Sequence, residues 1–318
     1  MLSSMYRQSI FVVIWFCLGA SAMAQQINEA QIRKDIAFLA SDKMKGRGTG
    51  SKEGKKASKF IAKQFKQMGL KPLGTKGFYQ PFQGVVRKVP VKDSVRDTRN
   101  VIGFLDNHAE KTIIIGAHYD HLGMGYQGSS KDSLPQGKIH NGADDNASGV
   151  AGLLQLAKYY TKNNVREPFN FLFISFGAEE LGLQGSKYFV AHPTIDLKQV
   201  HFMLNMDMIG RYDSSRGLGV GGYGTASEWP AVFEKIARPA PVKFFTDNSG
   251  KGGSDHHVFY MAGMPVLFFH TGGHPDYHMP TDDADKVNYL GMKGVLRLGV
   301  TIIDAAMQQQ RLSYVKQE

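Results

Sequence analysis

Cysteine is nearly missing from this chain. The only one in 318 residues is Cys17. It lies within Met1 to Ala24, where Arg7 precedes an apolar run, Ile10 to Ala20, and Ala22-Met23-Ala24 closes the segment. That pattern reads as a secretory signal peptide cleaved near Ala24, with a retained N-terminal anchor as the alternative. The run is short for a membrane span, and Ile14-Trp15-Phe16 ahead of Cys17 is a poor context for lipid attachment. The mature protein, 25–318, then has no disulfide and no thiolate chemistry, and any metal must be held by His and carboxylates. No later stretch is apolar enough to cross a bilayer, so no stable membrane anchor is expected.

Other absences narrow the field further. There is no composition break that would mark a linker and no internal repeat, which points to one domain. Gly46-Arg47-Gly48-Thr49-Gly50 looks like a phosphate cradle, but no Gly-Lys-Ser/Thr follows and no strand precedes it; it reads as a turn. The formal net charge is +10, much of it between Lys43 and Lys76. No nucleic-acid motif accompanies those lysines. They alternate with apolar positions, as on a solvated helix face, and nucleic acid is not an expected partner.

What is present is a core-forming chain, 42% hydrophobic, in which strands and helices alternate. Helices are expected over 28–40 and 57–68. Strands follow at 100–105 and 112–118, a helix at 146–160, and a strand at 169–176 whose near-continuous apolar run fits a sheet buried on both faces. A helix near 185–191 and a strand at 200–206 come next. The remainder reads as strand 218–222, helix 228–236, strand 242–245, short helix 255–261, strand 265–269 and a closing helix, 290–307. This alternation means an α/β sandwich.

Hard ligands recur at the C-terminal ends of these strands, where open α/β sheets place their sites. Strand 112–118 ends in His118-Tyr119-Asp120. Strand 169–176 runs into Gly177-Ala178-Glu179-Glu180, and strand 200–206 ends in Asp207. Strand 265–269 leads to His270 and to His274-Pro275-Asp276-Tyr277-His278. Asp144 and Asp145 sit at a helix entrance, where one acid could cap free backbone N–H groups. A second acid beside it has no such explanation. Carboxylates gathered from this many strand ends would repel one another unless a metal held them.

His118-Tyr119-Asp120, Gly142-Ala143-Asp144-Asp145-Asn146-Ala147-Ser148-Gly149, Glu179-Glu180, Asp207 and His278 together resemble the co-catalytic di-zinc aminopeptidase family, which also holds glutamate carboxypeptidases and glutaminyl cyclases. The resemblance runs from about Ala30 to Ala306. It implies a three-layer sandwich: a mixed, mostly parallel sheet of about eight strands with helices on both faces. It also implies two zinc ions. Asp145 would bridge them, Glu180 and His278 would complete one site, and His118 and Asp207 the other. Asp120 would hold His118 in its ligating orientation and Glu179 would be the general base, the two catalytic residues of this reading. Asp144 would be left to capping, and a cis peptide would join Asp145 to Asn146.

The reaction so implied is removal of the N-terminal residue from a peptide with a free N-terminus, by a secreted or periplasmic enzyme. A single-zinc glutaminyl cyclase is one alternative, though that group lacks the first-motif His. A carboxypeptidase for acidic dipeptides is another, and Arg211 is the one evident candidate for its basic pocket. The resemblance also brings Ser254-Asp255-His256-His257 beside the site, with Asp255 close to it and the two histidines structural. Tyr277 and Tyr223 are candidate hydrogen-bond donors to a tetrahedral intermediate.

Overall fold

The computed structural model describes residues 27–86 and 95–317. The expected signal segment and Cys17 lie outside the described residues. The strands are β1 (Lys71–Pro72), β2 (Tyr79–Val85), β3 (Val95–Leu105), β4 (Thr112–His118), β5 (Asn170–Phe176), β6 (Val200–Met206), β7 (Leu218–Gly221), β8 (Phe244–Thr246) and β9 (Val266–His270). They form one nine-stranded sheet in the order β1-β3-β5-β4-β6-β9-β7-β8, with β2 paired to β3 off this path.

The centre of the sheet, β5-β4-β6-β9, is parallel, as is the β7–β8 pair at one edge. The β1–β3, β2–β3, β3–β5 and β7–β9 pairs are antiparallel. "Mostly parallel" therefore describes the centre and not the whole sheet. The reason lies partly in connection length. A parallel pair needs a crossover of about a dozen residues or more, and the link from Val85 to Val95 is shorter than that.

Both central strands β4 and β5 are buried along their whole length. Their side chains alternate between two apolar clusters, one per face. Ile113, Ile115, Phe171 and Phe173 enter the larger cluster, while Ile114, Leu172, Ile174 and Phe176 enter the smaller. Helices α1 (Glu29–Leu39), α2 (Lys52–Met68), α3 (Gly149–Lys162), α5 (Trp229–Glu234) and α7 (Tyr289–Ala306) supply residues to the larger cluster. Helices α4 (Gln184–Ala191) and α6 (His256–Met261) supply the smaller one.

Local chemistry sets the helix ends. The Asn28 side chain accepts from the N–H of Gln31 and starts α1. The Ser51 side chain accepts from Gly54 N–H and starts α2 five residues before the expected 57, and Gly69 at φ 85° stops it. Lys52, Lys55, Lys56, Lys59, Lys63 and Lys66 are exposed along α2, while Ala57, Ile61 and Phe65 are buried.

The helix expected from 146 begins at Gly149. A wide turn, Ala143–Ser148, precedes it, and Asp145 (φ −104°, ψ 96°) and Asn146 leave helical geometry there. The Asp145–Asn146 peptide is cis, as the resemblance implied. The two acids thus stand in a turn before the helix and not on its first helical turn. Among the described residues no helix is long and apolar enough to cross a membrane.

Candidate metal centre

The loops leaving β4, β5 and β6, together with the turn before α3, bring His118, Glu179, Glu180, Asp207 and Asp145 to one place. His118 closes β4. Its Nε2 lies 3.2 Å from Asp207 Oδ1 and 3.4 Å from Asp145 Oδ1. His278, in the turn after β9, places its Nε2 3.1 Å from Asp145 Oδ2 and 3.2 Å from Glu180 Oε2. The five residues expected as ligands therefore share one buried cage, and Asp145 faces both histidines.

Sequence reasoning missed a sixth. His121 is buried, with Nδ1 2.7 Å from Glu180 Oε1 and 3.8 Å from Asp145 Oδ1. Its Nε2 is buried with no hydrogen-bond partner among the described residues. His118, Asp145 and Asp207 offer ligand atoms within 4.8 Å of one another, and so do His121, Asp145 and Glu180. The available signal was the spacing His118-x-x-His121, a second imidazole three residues beyond the strand end.

The cage suits metal ions on its own chemistry. Its donors are imidazole nitrogens and carboxylate oxygens with no sulfur, a set that zinc-like ions accept. Without a cation the imidazoles and carboxylates pair with one another, protons standing where a metal would. Burial opposes a charge on His118, yet Asp207 and Glu179 hold its pKa well above the ordinary value. Burial likewise opposes His278, and Glu180 and Asp145 raise it to about 11. Burial and Asp145 oppose ionisation of Glu180, but His278 and His121 outweigh them and bring it to about 2. Asp145 is drawn well below the ordinary range by His121, His118 and His278 in spite of its burial.

Glu179 differs from these acids. It faces His118 Nε2 at 3.9 Å and belongs to neither ligand group. Burial, against the pull of His118, and then repulsion from Glu180, Asp207 and Asp255 push its pKa well above the usual carboxylate range.

Supporting contacts orient the candidate ligands. The Nδ1 of His278 lies 2.9 Å from the carbonyl oxygen of Ser129, which leaves Nε2 facing the acids. His118 Nδ1 meets the backbone carbonyl of Asp120 at 3.1 Å. The carboxylate of Asp120, expected to make that contact, is 3.9 Å away. It accepts instead from the N–H of Glu179 (3.1 Å) and the hydroxyl of Thr49 (2.9 Å). Asp120 thus ties His118 through its backbone and Glu179 through its side chain.

Asp144 does not cap its helix. Its Oδ1 accepts from Gly210 N–H (2.6 Å) and from the Ser148 hydroxyl, and its Oδ2 faces His274 Nε2. Asp282 serves the turn instead, accepting from the N–H groups of Asp144 and Asp145 at 2.9 and 3.0 Å.

Asp255 is fully buried. Its carboxylate oxygens have no hydrogen-bond partner among the described residues, and burial pushes its pKa up to about 7. His256 stacks on Phe268 (4.1 Å, 11°), and burial lowers it to about 3. Tyr277 lines the cavity over the cage, whereas Tyr223 packs against Phe233 and does not line it. Arg211 is engaged by Asp276 and Asp282, both at 3.1 Å. The cavity holds about 540 Å³ and is lined by Asp145, Glu179, Glu180, Asp207, His270 and His278 together with Leu183, Met208 and Phe268; among the described residues no Lys or Arg lines it.

If His121 serves the Glu180 group, His121→Ala weakens metal binding there by about 10–100-fold. The His118 group should keep its affinity. Stepwise metal titration measures both, and unchanged binding at both groups would reduce His121 to a packing residue.

Residues 100–301 match the model of peptidase family M28, and the chain belongs to that family. It is 32% identical over 179 residues to aminopeptidase YwaD of Bacillus subtilis, covering 53% of this chain and 38% of that protein. It is 32% identical over 163 residues to leupeptin-inactivating enzyme 1 of Streptomyces exfoliatus, covering 50% and 34%. The chain thus matches little more than a third of these relatives' length.

Among solved structures, the LapA aminopeptidase of Legionella pneumophila aligns with a TM-score of 0.69 at 19% identity, over 98% of this chain and 81% of that one. A glutaminyl cyclase of Bacteroides thetaiotaomicron aligns at 0.68 and 18%, over 87% and 98%. At these identities the likeness is one of fold.

Proposed function

We propose that this chain is an exported zinc exopeptidase, an aminopeptidase that removes the N-terminal residue of peptides and uses two zinc ions per chain. The observation that carries the reading is Asp145, which is shared by both groups of candidate ligands and sets one oxygen 3.4 Å from His118 and the other 3.1 Å from His278. Bound divalent metals would acidify water and polarise the scissile carbonyl. His118, Asp145 and Asp207 would hold one ion; Asp145, Glu180 and His278, with His121 beside them, would hold the other. Glu179 takes a proton from the attacking water and delivers it to the leaving amine.

The substrate end follows from charge. Among the described residues no Lys or Arg lines the cavity to pair with a substrate carboxylate, and Glu179, the lining acid assigned to neither ion, is left to face an ammonium group. Arg211, the candidate for a carboxypeptidase pocket, is occupied by two aspartates. A single-metal cyclase is the less favoured alternative, because His118 and Asp207 complete a second group. The apolar run ending near Ala24 supports export, and 25–318 is read as a single catalytic domain.

The test compares aminoacyl peptides with a free and an acetylated N-terminus, before and after chelation. Cleavage of the free form alone, lost on chelation and restored by zinc, is expected. Equal rates on both forms, or selective release of a C-terminal glutamate, would overturn the aminopeptidase reading.

A further inference from the structure

Gly46-Arg47-Gly48-Thr49 lies outside the stretch that matches the family model. It is no free turn. It runs under the cage as a strap, with Arg47 itself at a left-handed φ of 50°. Gly123 N–H donates to the Gly46 carbonyl, and Gly48 bridges to His121. A Cβ on Gly46 would overlap the carbonyl oxygens of His140 and Gly123, so the strap is pressed against the segments that carry the ligands.

Arg47 is completely buried. A buried charge is costly unless paired, yet among the described residues no carboxylate lies within 4 Å of it. All its bonds go to backbone carbonyls. Nε donates to Tyr119 O at 2.9 Å, between His118 and Asp120. Nη1 donates to Asn141 O at 2.6 Å and Nη2 to Gly142 O at 2.9 Å, at the entrance to the Asp145 turn. A further bond from Nη1 reaches Leu39 O at the end of α1. Burial lowers its pKa to about 10, while Asp145, Asp120, Asp282 and Glu180 act in the opposite sense. Two residues on, the Thr49 hydroxyl donates to Asp120 Oδ2, the carboxylate that also holds the Glu179 backbone.

We propose that Arg47 and Thr49 are positioning residues of the metal centre: Arg47 locks the His118 and Asp145 segments in register through their carbonyls, and Thr49 fixes Asp120. The inference rests on the metal centre proposed above. Its physical basis is the planar guanidinium fork, which reaches several fixed acceptors at once; an ammonium is a point charge with three rotatable donors and cannot span them. The arrangement sets ligand geometry before any ion arrives, and outer contacts of this kind are worth about 10–100-fold in metal affinity.

The experiment titrates cobalt(II) into the metal-free full chain and into Arg47→Lys and Thr49→Val. Affinity, the visible absorption of the cobalt site, far-UV circular dichroism and the thermal midpoint are recorded. Wild type should bind cobalt with visible bands. Arg47→Lys and Thr49→Val should keep the far-UV spectrum, bind about 10–100-fold more weakly and, for Arg47→Lys, show altered bands. A purely structural role would lower the thermal midpoint and leave the affinity and bands of the folded protein unchanged; that result overturns the proposal. If Arg47→Lys does not fold, Thr49→Val decides alone, and unchanged cobalt affinity in it overturns the proposal. Wild type that binds no cobalt would remove the metal centre itself, a result separable from variants that bind as wild type does.

Discussion

Glu179→Gln is expected to lower kcat by about 10²–10⁴-fold while zinc content stays near that of wild type. The substitution keeps the shape of the side chain and removes its capacity to take a proton. Glu179 is assigned to neither ion in the proposed centre, so the ions should remain. It also faces the cage, 3.9 Å from His118 Nε2, and a water bound between the two would lie within its hydrogen-bond reach. The loss corresponds to about 3–5 kcal/mol of transition-state stabilisation, and KM should move only a few-fold because the lost interaction acts in the transition state. Zinc per chain and kcat are to be measured for this variant and for Glu180→Gln. Loss of zinc in Glu179→Gln with both ions kept in Glu180→Gln would mean that the two roles are exchanged. Full turnover in Glu179→Gln would remove the base from the mechanism.

Asp145→Asn is expected to lose both ions and all measurable turnover. One oxygen of Asp145 faces His118 at 3.4 Å and the other faces His278 at 3.1 Å. An amide keeps the size but supplies one neutral oxygen and a donor NH₂ where two anionic acceptors stood. The fold should survive. The metal-free thermal midpoint should fall, because the substitution removes the charge that three imidazoles face at 3.1–3.8 Å. Zinc per chain after gel filtration and the thermal midpoint without metal decide the matter. One zinc retained with measurable turnover would show that the two groups do not depend on a shared carboxylate. Glu180→Gln is the control, since it belongs to one group only.

Much of the site was legible because ligands stand where hydrophobic runs stop. The β4, β5 and β6 runs end at His118, Gly177 and Asp207, and the eye is led from strand to polar tail. Residues beyond those ends were harder to place. His121 lies past the strand, where periodicity gives no direction; its spacing from His118 is the one local signal, and its contact with Glu180 places it. Arg47 reads as a turn residue because its partners are carbonyls 72 to 95 positions away along the chain, apart from Leu39. Asp144 looked like a cap, but its partners belong to the loop after β6 and to the α3 turn.

In the fold, β2 escaped notice because Pro81 and Gly84 interrupt it. Such residues mark edge strands, and β2 pairs with β3 alone. The early start of α2 was hidden by lysines, which leave no apolar stripe in its first turn. The orientation of the outer strands depends on long-range pairing, and no local pattern encodes it.

The order in which the proposed ligands occur along the chain has a consequence for synthesis. His118 and Asp145 arrive first, but the His118 group waits for Asp207, and the other group takes His278 from the turn after β9. Between His118 and His278 the chain must lay β5, β6 and β9 against β4 in parallel register. Such distant pairings form slowly, and a chain emerging from the ribosome folds from its N-terminal side. On the proposed function, a chain built this way would have no complete centre while it is being made. The group that takes His278 would close only when β9 has docked, so the partly folded chain would spend that period with the centre unfinished.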